Sequence, residues 1–460
     1  MPAAATIRHR AWPDYRAVWR WHFYAGLFCI PFVLWLAATG SIYLFKPQIE
    51  AWLDRPYDHL AIDGARASPQ AIVEAALAAV PGSRLNAYEL PPSPDAAVRV
   101  LVGHAAQLTR VYVHPHTRSI LHVVDEDARV MNLIQHLHGE LLLGDRGSML
   151  VELAASWAIV MLLSGVFLWW PRTGSGIAGV LYPRLGGGGG RFWRDLHAVT
   201  GFWVSFLALF LLFSGLPWAK SWGGLLKETR ALGQSASVKQ DWATGRSAEL
   251  AARVQANDAA PIDEHAAHHA HAGAATAAVD LGALDRLVPA VQALGLAPPA
   301  LIAPPSQANA HWSARSDAQN RPLRTSLELD AASAAVMHRV DFDQRPLLDR
   351  VIGVGIAAHE GQLFGWLNQA LGLFTALGLI LVSLSALVMW WRRRSPDELG
   401  APRALPGPRY AAALFALIVV IAVLLPMFGL SLLLVFALER LLLRRLPEAS
   451  RFLGLPPAQR

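Results

Sequence analysis

Two stretches of this 460-residue sequence share one pattern: residues 22–40, HFYAGLFCIPFVLWLAATG, and residues 197–215, HAVTGFWVSFLALFLLFSG. Each begins with histidine, has glycine four residues later, and ends in a hydroxyl residue followed by a second glycine. The residues between are apolar over about the 20 positions that a helix needs to cross a bilayer. Both stretches therefore predict a membrane-spanning helix that begins with a histidine.

A second pair of segments repeats in the same way. His138 precedes Gly144 by 6 residues and a Trp-Trp pair by 31, and His359 precedes Gly365 and another Trp-Trp pair by the same intervals. A polar ring at the start of an apolar run is costly unless it has a partner. The repeat therefore predicts a common role for His22, His197, His138 and His359.

Composition fixes the class of protein. With 54% hydrophobic and 16% charged residues, the chain is too apolar for a soluble protein of ordinary composition. We predict an all-α polytopic membrane bundle with four clear spans, a C-terminal hairpin broken at Pro426, and two small outward α+β domains. Arginines cluster at the ends of the spans that we predict to be cytoplasmic, because inward loops are rich in Lys and Arg.

The predicted segments follow from these runs and charges. They are a cytoplasmic N-terminus at 1–21, a first span at 22–45, a first outward domain at 46–147, a second span at 148–171, a cytoplasmic loop at 172–197, a third span at 198–218, a second outward domain at 219–350, an outer helix start with the fourth span at 351–391, a cytoplasmic loop at 392–408, a hairpin at 409–443 and a cytoplasmic tail at 444–460.

The outward domains show a helix followed by short strands. In the first, Ser68 and Pro69 predict a helix start, and strands are expected at 84–90, 98–103, 108–114 and 119–124. The second repeats the pattern more faintly, with a helix at 281–294 and strands at 310–314, 323–329 and 336–342. Between them, residues 231–278 are rich in alanine and are expected to form a flexible insert.

Charge and cysteine content exclude several classes. The formal charge of +6 reflects the cytoplasmic arginines, so no nucleic-acid role is predicted and membrane lipid is the expected surroundings. Cys29 is the only cysteine, which excludes disulfides within the chain and iron–sulfur ligation. The insert carries a histidine cluster that is a weaker candidate for metal binding, and a simple linker is the alternative: His265, His268, His269 and His271.

The four repeated histidines suit haem b. Imidazoles hold this haem without covalent attachment, and the chain lacks a Cys-x-x-Cys-His motif. His22 and His197 both begin inward-to-outward helices and are predicted to ligate one haem, and His138 and His359 a second. His136 is an alternative to His138, but its counterpart in the repeat is Ala357. The repeated glycines fit either close approach of the macrocycle or close helix packing.

One straight helix from His138 to the following Trp-Trp pair would be about 46 Å long. That length would carry the outer haem far above the bilayer. Asp145, Arg146 and Gly147 predict a break that shortens this distance.

Nearly all of the chain resembles the PepSY-associated transmembrane family. The resemblance rests on Trp21-His22, His138-Gly139, the segments 194–197 (RDLH) and 359–361 (HEG), and the unit ending in 111–115 (VYVHP), which is similar to PepSY domains. It implies a bacterial inner-membrane protein with both large loops periplasmic. Members of the family include haem-containing reductases of ferric siderophores.

The resemblance and the histidines together predict a di-haem b oxidoreductase that reduces ferric, siderophore-bound iron in the periplasm. The sequence indicates no catalytic residue beyond the ligands. It has no NAD or flavin fingerprint, so quinol or a separate flavoprotein is the expected electron donor. The alternatives are a non-enzymatic PepSY-type regulator of a periplasmic partner and a metal transport or chaperone protein.

Overall fold

The computed structural model describes residues 13–171, 176–186, 188–233, 244–257, 279–306, 309–404 and 412–455. The chain forms two compact units. The helix unit consists of Met1–Ser41, His138–Trp242 and Leu371–Arg460, and the sheet unit of Ile42–Leu137 and Ala243–Ala370.

The α-helices in chain order are α1 Tyr15–Tyr43, α2 Lys46–Asp58, α3 Pro69–Ala79, α4 Val130–Glu140, α5 Asp145–Trp169, α6 Gly189–Gly215, α7 Lys220–Gly233, α8 Arg246–Asn257, α9 Leu284–Ala293, α10 Leu347–His359, α11 Trp366–Arg393, α12 Ala412–Leu424, α13 Pro426–Leu441 and α14 Pro447–Phe452. The strands are β1 Arg84–Glu89, β2 Val98–His104, β3 Gln107–Val113, β4 Ile120–Asp125, β5 Ala300–Ala303, β6 Trp312–Ser316, β7 Thr325–Leu329 and β8 Val336–Asp341.

Among the residues that the structure describes, five helices are long and apolar enough to cross a membrane. They cover Tyr15–Tyr43, Asp145–Trp169, Gly189–Trp218, Trp366–Arg393 and Pro426–Arg445. The first four confirm the predicted spans. In the C-terminal stretch, α12 and α13 are separated at Leu425, directly before Pro426, because proline lacks the N–H that would continue the helix. The predicted break is therefore confirmed. The protein is a multi-pass membrane protein.

The chain does break before the second span, but at 141–144 rather than at the predicted Asp145, Arg146 and Gly147, which form the first turn of α5. Helix α4 ends at Glu140 and α5 begins at Asp145. Leu141 and Leu142 have φ of 52° and 57°, a conformation that costs about 1–2 kcal/mol in a residue with a side chain. The turn doubles back so closely that a Cβ on Gly147 would lie 1.6 Å from the Glu140 carbonyl oxygen.

The segment 351–391, which was predicted to hold an outer helix start and the fourth span, is likewise divided into two helices. Helix α10 ends at His359, and α11 begins at Trp366 after a turn with positive φ at Gly361 and Gly365. The Asn368 side chain bridges this turn, because its Nδ2 donates to the Ala358 carbonyl at 2.8 Å and its Oδ1 accepts the Leu363 N–H at 3.1 Å.

The sheet unit contains one antiparallel sheet of eight strands in the order β4-β3-β2-β1-β5-β6-β7-β8. This corrects the prediction of two separate α+β domains. Each half has the predicted helix and strands, but the short strand β5, which the sequence analysis missed, pairs with β1 through Tyr88 and Glu89. The pairing covers an edge of β1 that would otherwise present unpaired backbone groups.

The sheet unit has one hydrophobic core that both halves share. Ile72 on α3 and Leu287 on α9 are fully buried in a single cluster with inward residues of β1, β2, β3, β5, β6 and β7. Helix α3 starts as predicted, with the Ser68 hydroxyl accepting the Ala71 N–H at 3.2 Å and proline at the first turn. A shared core explains why the halves do not form two domains.

Part of the predicted flexible insert is helical. Helix α8 lies within 231–278, and both of its ends contact other parts of the sheet unit. Arg246 and Arg253 form ion pairs with Asp127, and Asn257 donates to the Ala105 carbonyl at 2.8 Å. Gly103 is required beside it, because a Cβ there would lie 2.2 Å from Asn257 Oδ1. These contacts outweigh the low hydrophobicity that predicted flexibility.

Candidate functional site

His22 lies in the second turn of α1 and contacts α5. Its Nδ1 is 3.1 Å from the Met161 carbonyl oxygen and 3.0 Å from Ser164 Oγ. Because a carbonyl oxygen can only accept, Nδ1 carries the hydrogen. Nε2 of the neutral ring is therefore left with its lone pair, which is the form that binds a metal ion.

His197 on α6 repeats this arrangement with α11. Its Nδ1 is 3.0 Å from the Val382 carbonyl oxygen and 3.3 Å from Ser385 Oγ. Met161 and Ser164 are three residues apart, as are Val382 and Ser385, so both histidines bind the same pattern on a neighbouring helix. The second histidine is therefore held in the same tautomer as the first.

The structure brings His22 and His197 together. Their ring centroids are 6.3 Å apart, and the ring planes are inclined by 80°. A bond of about 2 Å from a metal ion to an imidazole nitrogen, with about 1 Å from that nitrogen to its ring centroid, separates two opposed imidazoles by about 6 Å. The separation and the tautomers of this pair fit two imidazoles that would hold one metal ion between them.

Glycine makes room for one of these rings. A Cβ on Gly165 of α5 would lie 3.1 Å from Cε1 of His22, closer than ordinary packing. Gly26 and Gly201, which the sequence analysis singled out, instead face Met161 and Val382 at 3.8 and 4.0 Å. Those two distances are ordinary van der Waals contacts, which agrees with the helix-packing alternative.

A buried carboxylate fixes the start of the helix that carries His197. Asp195 is 0% exposed and accepts from Arg184 Nε at 2.6 Å and from Arg194 Nη2 at 2.7 Å. Because two guanidinium groups compensate one buried charge, the loop before α6 is tied to its first turns. Sequence reasoning quoted Asp195 as part of a motif but assigned it no role.

His138 lies at the end of α4 in a similar environment. Its Nδ1 is 3.0 Å from Thr39 Oγ1 on α1, and it also bonds to the Leu36 backbone. Burial lowers the pKa of His138 to about 4, so the ring is neutral at physiological pH, as a metal ligand must be. A Cβ on Gly40 would lie 3.1 Å from its Cε1. Gly40 therefore makes room for an imidazole.

His359 belongs to the sheet unit, where it is the last residue of α10. The turn that follows is held by side-chain amides: besides Asn368, Gln362 Nε2 donates to the Leu44 carbonyl at 3.1 Å and Gln369 Nε2 to the same oxygen at 2.9 Å. The pairing of His359 with His138 remains a prediction from the repeat.

His136 has a different environment from His138. Its Nε2 lies 3.2 Å from Arg246 Nη1, which can only donate, and 3.7 Å from Asp127 Oδ1. The guanidinium therefore occupies one of the two ring nitrogens that could bind a metal. This contact favours His138 over His136 as the ligand.

The histidine cluster of the insert, His265, His268, His269 and His271, lies outside the described residues. Within the part of the chain that the structure describes, no group of three or more His, Cys, Asp or Glu side chains is placed to hold a metal ion.

The repeat in the sequence points to the histidines but does not by itself name their side-chain partners. Ser164 and Ser385 both follow a repeated histidine by 26 residues, so the internal repeat held the signal. Thr39 was noted only as part of the repeated pattern. The carbonyl partners had no signal of this kind, because every residue carries a backbone carbonyl.

A comparison with curated proteins finds no match to this chain. The sequence profile described as the PepSY-associated TM region matches residues 19–393, which include most of α1, all of α5, α6 and α11, the whole sheet unit and all four repeated histidines. The match covers most of the sequence, and the chain belongs to the family of the PepSY-associated TM region.

Proposed function

We propose that the protein is a membrane electron-transfer protein with haem b that reduces ferric iron, bound to a siderophore, on the periplasmic side. The observation that carries this proposal is the pair His22 and His197, with ring centroids 6.3 Å apart and both Nδ1 atoms bonded to backbone carbonyls. In this tautomer the Nε2 atom of each ring keeps the lone pair that a metal ion would need.

Haem b held by two imidazoles supplies reversible one-electron transfer and leaves no open position on the iron. The protein's own part is to present two neutral rings in fixed orientation. The carbonyls of Met161 and Val382 fix the tautomers, and the surrounding apolar helices exclude water. Imidazole nitrogen is a suitable ligand for iron in this setting.

A second haem follows from the repeat. His138 supports it with the same kind of partners as His22 and His197 and with a lowered pKa. His359 enters the proposal through its matching position in the sequence. Two haems in series are needed because one macrocycle does not bridge the roughly 30 Å of hydrocarbon.

The proposed direction of electron transfer rests on the distribution of arginines along the chain. Arginines cluster at the end of α11 and before α6, which is the pattern of cytoplasmic ends. Arg393 lies 5.4 Å from the ring centroid of Trp19 and 5.0 Å from that of Phe23, next to His22 in sequence. This basic, aromatic surface suits an electron donor at the cytoplasmic side, either quinol or a flavoprotein.

The acceptor chemistry follows from the iron. Each ferric ion takes up one electron, so one quinol, which gives two electrons and two protons, serves two ferric ions. Siderophore oxygens hold the more highly charged ion tighter, and reduction therefore weakens their grip.

The test is direct. Purified protein should show a low-spin b-type spectrum with close to two haems per chain by pyridine haemochrome assay. In oriented proteoliposomes, reductant at the cytoplasmic face should reduce ferric siderophore at the other face, detected with a membrane-impermeant ferrous chelator. A colourless, stably folded preparation from haem-replete cells would overturn the proposal and favour the regulator alternative.

A further inference from the structure

Three of the repeated histidines meet the same local pattern on a neighbouring helix: a backbone carbonyl and, three residues later, a hydroxyl. His22 meets Met161 and Ser164, and His197 meets Val382 and Ser385. His138 meets Leu36 and Thr39. We name this pattern the carbonyl–hydroxyl clamp. It recurs on α5, α11 and α1, which share no sequence motif beyond the hydroxyl and the small residue after it.

The hydroxyls in the clamps have a defined hydrogen-bond direction. Ser164 Oγ donates to the Met161 carbonyl at 2.9 Å, Ser385 Oγ to the Val382 carbonyl at 2.8 Å, and Thr39 Oγ1 to the Trp35 carbonyl at 2.8 Å. A hydroxyl has one hydrogen and two lone pairs. Each oxygen that has given its hydrogen to a carbonyl therefore faces the imidazole as an acceptor.

Each clamp thus offers two acceptors to one Nδ1–H. The carbonyl alone fixes the tautomer, so the hydroxyl has a further effect: a second acceptor for the same N–H restrains rotation of the ring. Acceptors on the distal N–H also raise the basicity of the nitrogen that binds the metal. Ser385 is 0% exposed, so its contribution is not diluted by water.

We propose that Ser164, Ser385 and Thr39 are positioning residues for the iron ligands: they hold the ring planes and lower the midpoint potential of the iron that the histidines bind. The inference rests on the proposed haem site. The midpoint potential is expected to fall because a more basic ligand stabilises the ferric ion over the ferrous ion. A protein that gives electrons to ferric complexes needs such a low potential.

The chain offers matched controls. Ser156 on α5 is buried and donates to the Glu152 carbonyl at 2.8 Å, and Thr375 on α11 is buried and donates to the Leu371 carbonyl at 2.8 Å. Both bond to the preceding turn of their own helix, as Ser164 and Ser385 do. Replacing them removes the same kind of hydroxyl from the same helices without removing a clamp.

The experiment compares Ser164→Ala and Ser385→Ala with Ser156→Ala and Thr375→Val in the full-length protein. Haem content, the midpoint potential by spectroelectrochemistry, and the ferric EPR spectrum are measured for each. The clamp variants should lose haem about 10-fold faster, because outer partners of a ligand change affinity by about 10–100-fold. Their midpoint potential should shift upward, and the EPR signal should broaden as the ring planes loosen.

The outcomes separate the two proposals. Wild-type protein without haem overturns the proposed function itself. Wild-type protein with two haems, together with clamp variants whose potential and EPR spectrum match those of the controls, overturns the inference and leaves the haem site intact. Thr39→Val tests the third clamp in the same way, and its effect should fall on a different haem component from that of Ser164→Ala.

Discussion

Two histidine pairs in this molecule have nearly the same ring geometry and different chemistry. The rings of His22 and His197 in the helix unit, and those of His114 and His116 in the sheet unit, are 6.3 Å apart, with interplanar angles of 80° and 81°. In the second pair, however, His114 Nδ1 accepts the backbone N–H groups of His116 and Thr117, each at 3.2 Å. The hydrogen of neutral His114 is therefore on Nε2, which cannot bind a metal in that form.

Ring separation alone therefore does not identify a ligand pair. What separates the two pairs is the partner of each Nδ1: carbonyl oxygens for the first, backbone N–H groups for His114 in the second. The β3–β4 turn uses its histidine as a turn-stabilising acceptor. In the helix unit, His22 and His197 donate from Nδ1, which is the tautomer that the proposed haem ligands need.

The largest expected effect comes from replacing either histidine of the His22–His197 pair, and a histidine of the second pair supplies the control. His22→Ala and His197→Ala should each lose the same haem, reducing the pyridine haemochrome value by about half, because bis-histidine ligation needs both rings. His114→Ala, the matched control, should leave the haem content unchanged. Loss of spectrally different haems from the His22 and His197 variants would contradict the pairing.

A smaller effect should come from the glycines that face the rings. Gly165→Ala should lower the occupancy of the haem held by His22, and Gly40→Ala that of the haem held by His138, since each new Cβ would lie 3.1 Å from a ring carbon. Gly26→Ala adds a methyl group at 3.8 Å from Met161 and is the control. Its haem spectrum should be unchanged, and thermal stability should rise slightly, because alanine favours a helix by about 1 kcal/mol over glycine.

The effect of acid on a buried carboxylate tests the same idea, that neighbouring groups decide the protonation state of a side chain. Burial opposes ionisation of Glu126, but Arg110 and Arg129 outweigh it and lower its pKa from 4.5 to about 2. Its contribution of about 3 kcal/mol is complete above pH 4.5 and is lost as the pH falls towards 2. Thermal unfolding in detergent should therefore show a steeper loss of stability over this range in the wild type than in Glu126→Gln. Equal slopes would show that the ion pairs do not act this way.

The smallest effect is expected from the insert. Deleting 259–275, which removes all four of its clustered histidines, should leave haem content and ferric-iron reduction within experimental error of the wild type. The reason is that helix α8, which attaches the preceding segment to the sheet unit, ends at Asn257 and remains intact. A clear loss of iron reduction would assign the cluster a role in metal handling.

The spans, the strand positions of the first half and the proximity of His22 to His197 could be predicted because each has a local signal in period, length or spacing. The strand β5 could not, since four apolar residues next to prolines look like a loop until β1 is known to need a partner. The tautomers of His22 and His197 could not either, because they depend on carbonyls 139 and 185 residues away in sequence. Helix α8 was missed because its polar residues are fixed by ion pairs with Asp127 rather than by a buried apolar face.

The pairing of β1 with β5 also has a consequence for biogenesis. The two strands are separated by about 210 residues, so at about 5–20 residues per second β5 leaves the ribosome roughly 10–40 s after β1. During that interval β1 presents a long unpaired edge, which is a template for aggregation. Helix α9, which contributes residues to the same core as β1, is synthesised after a similar delay. A nascent chain that stops before residue 284 therefore lacks both α9 and β5, and it should depend on chaperones until the second half has been made.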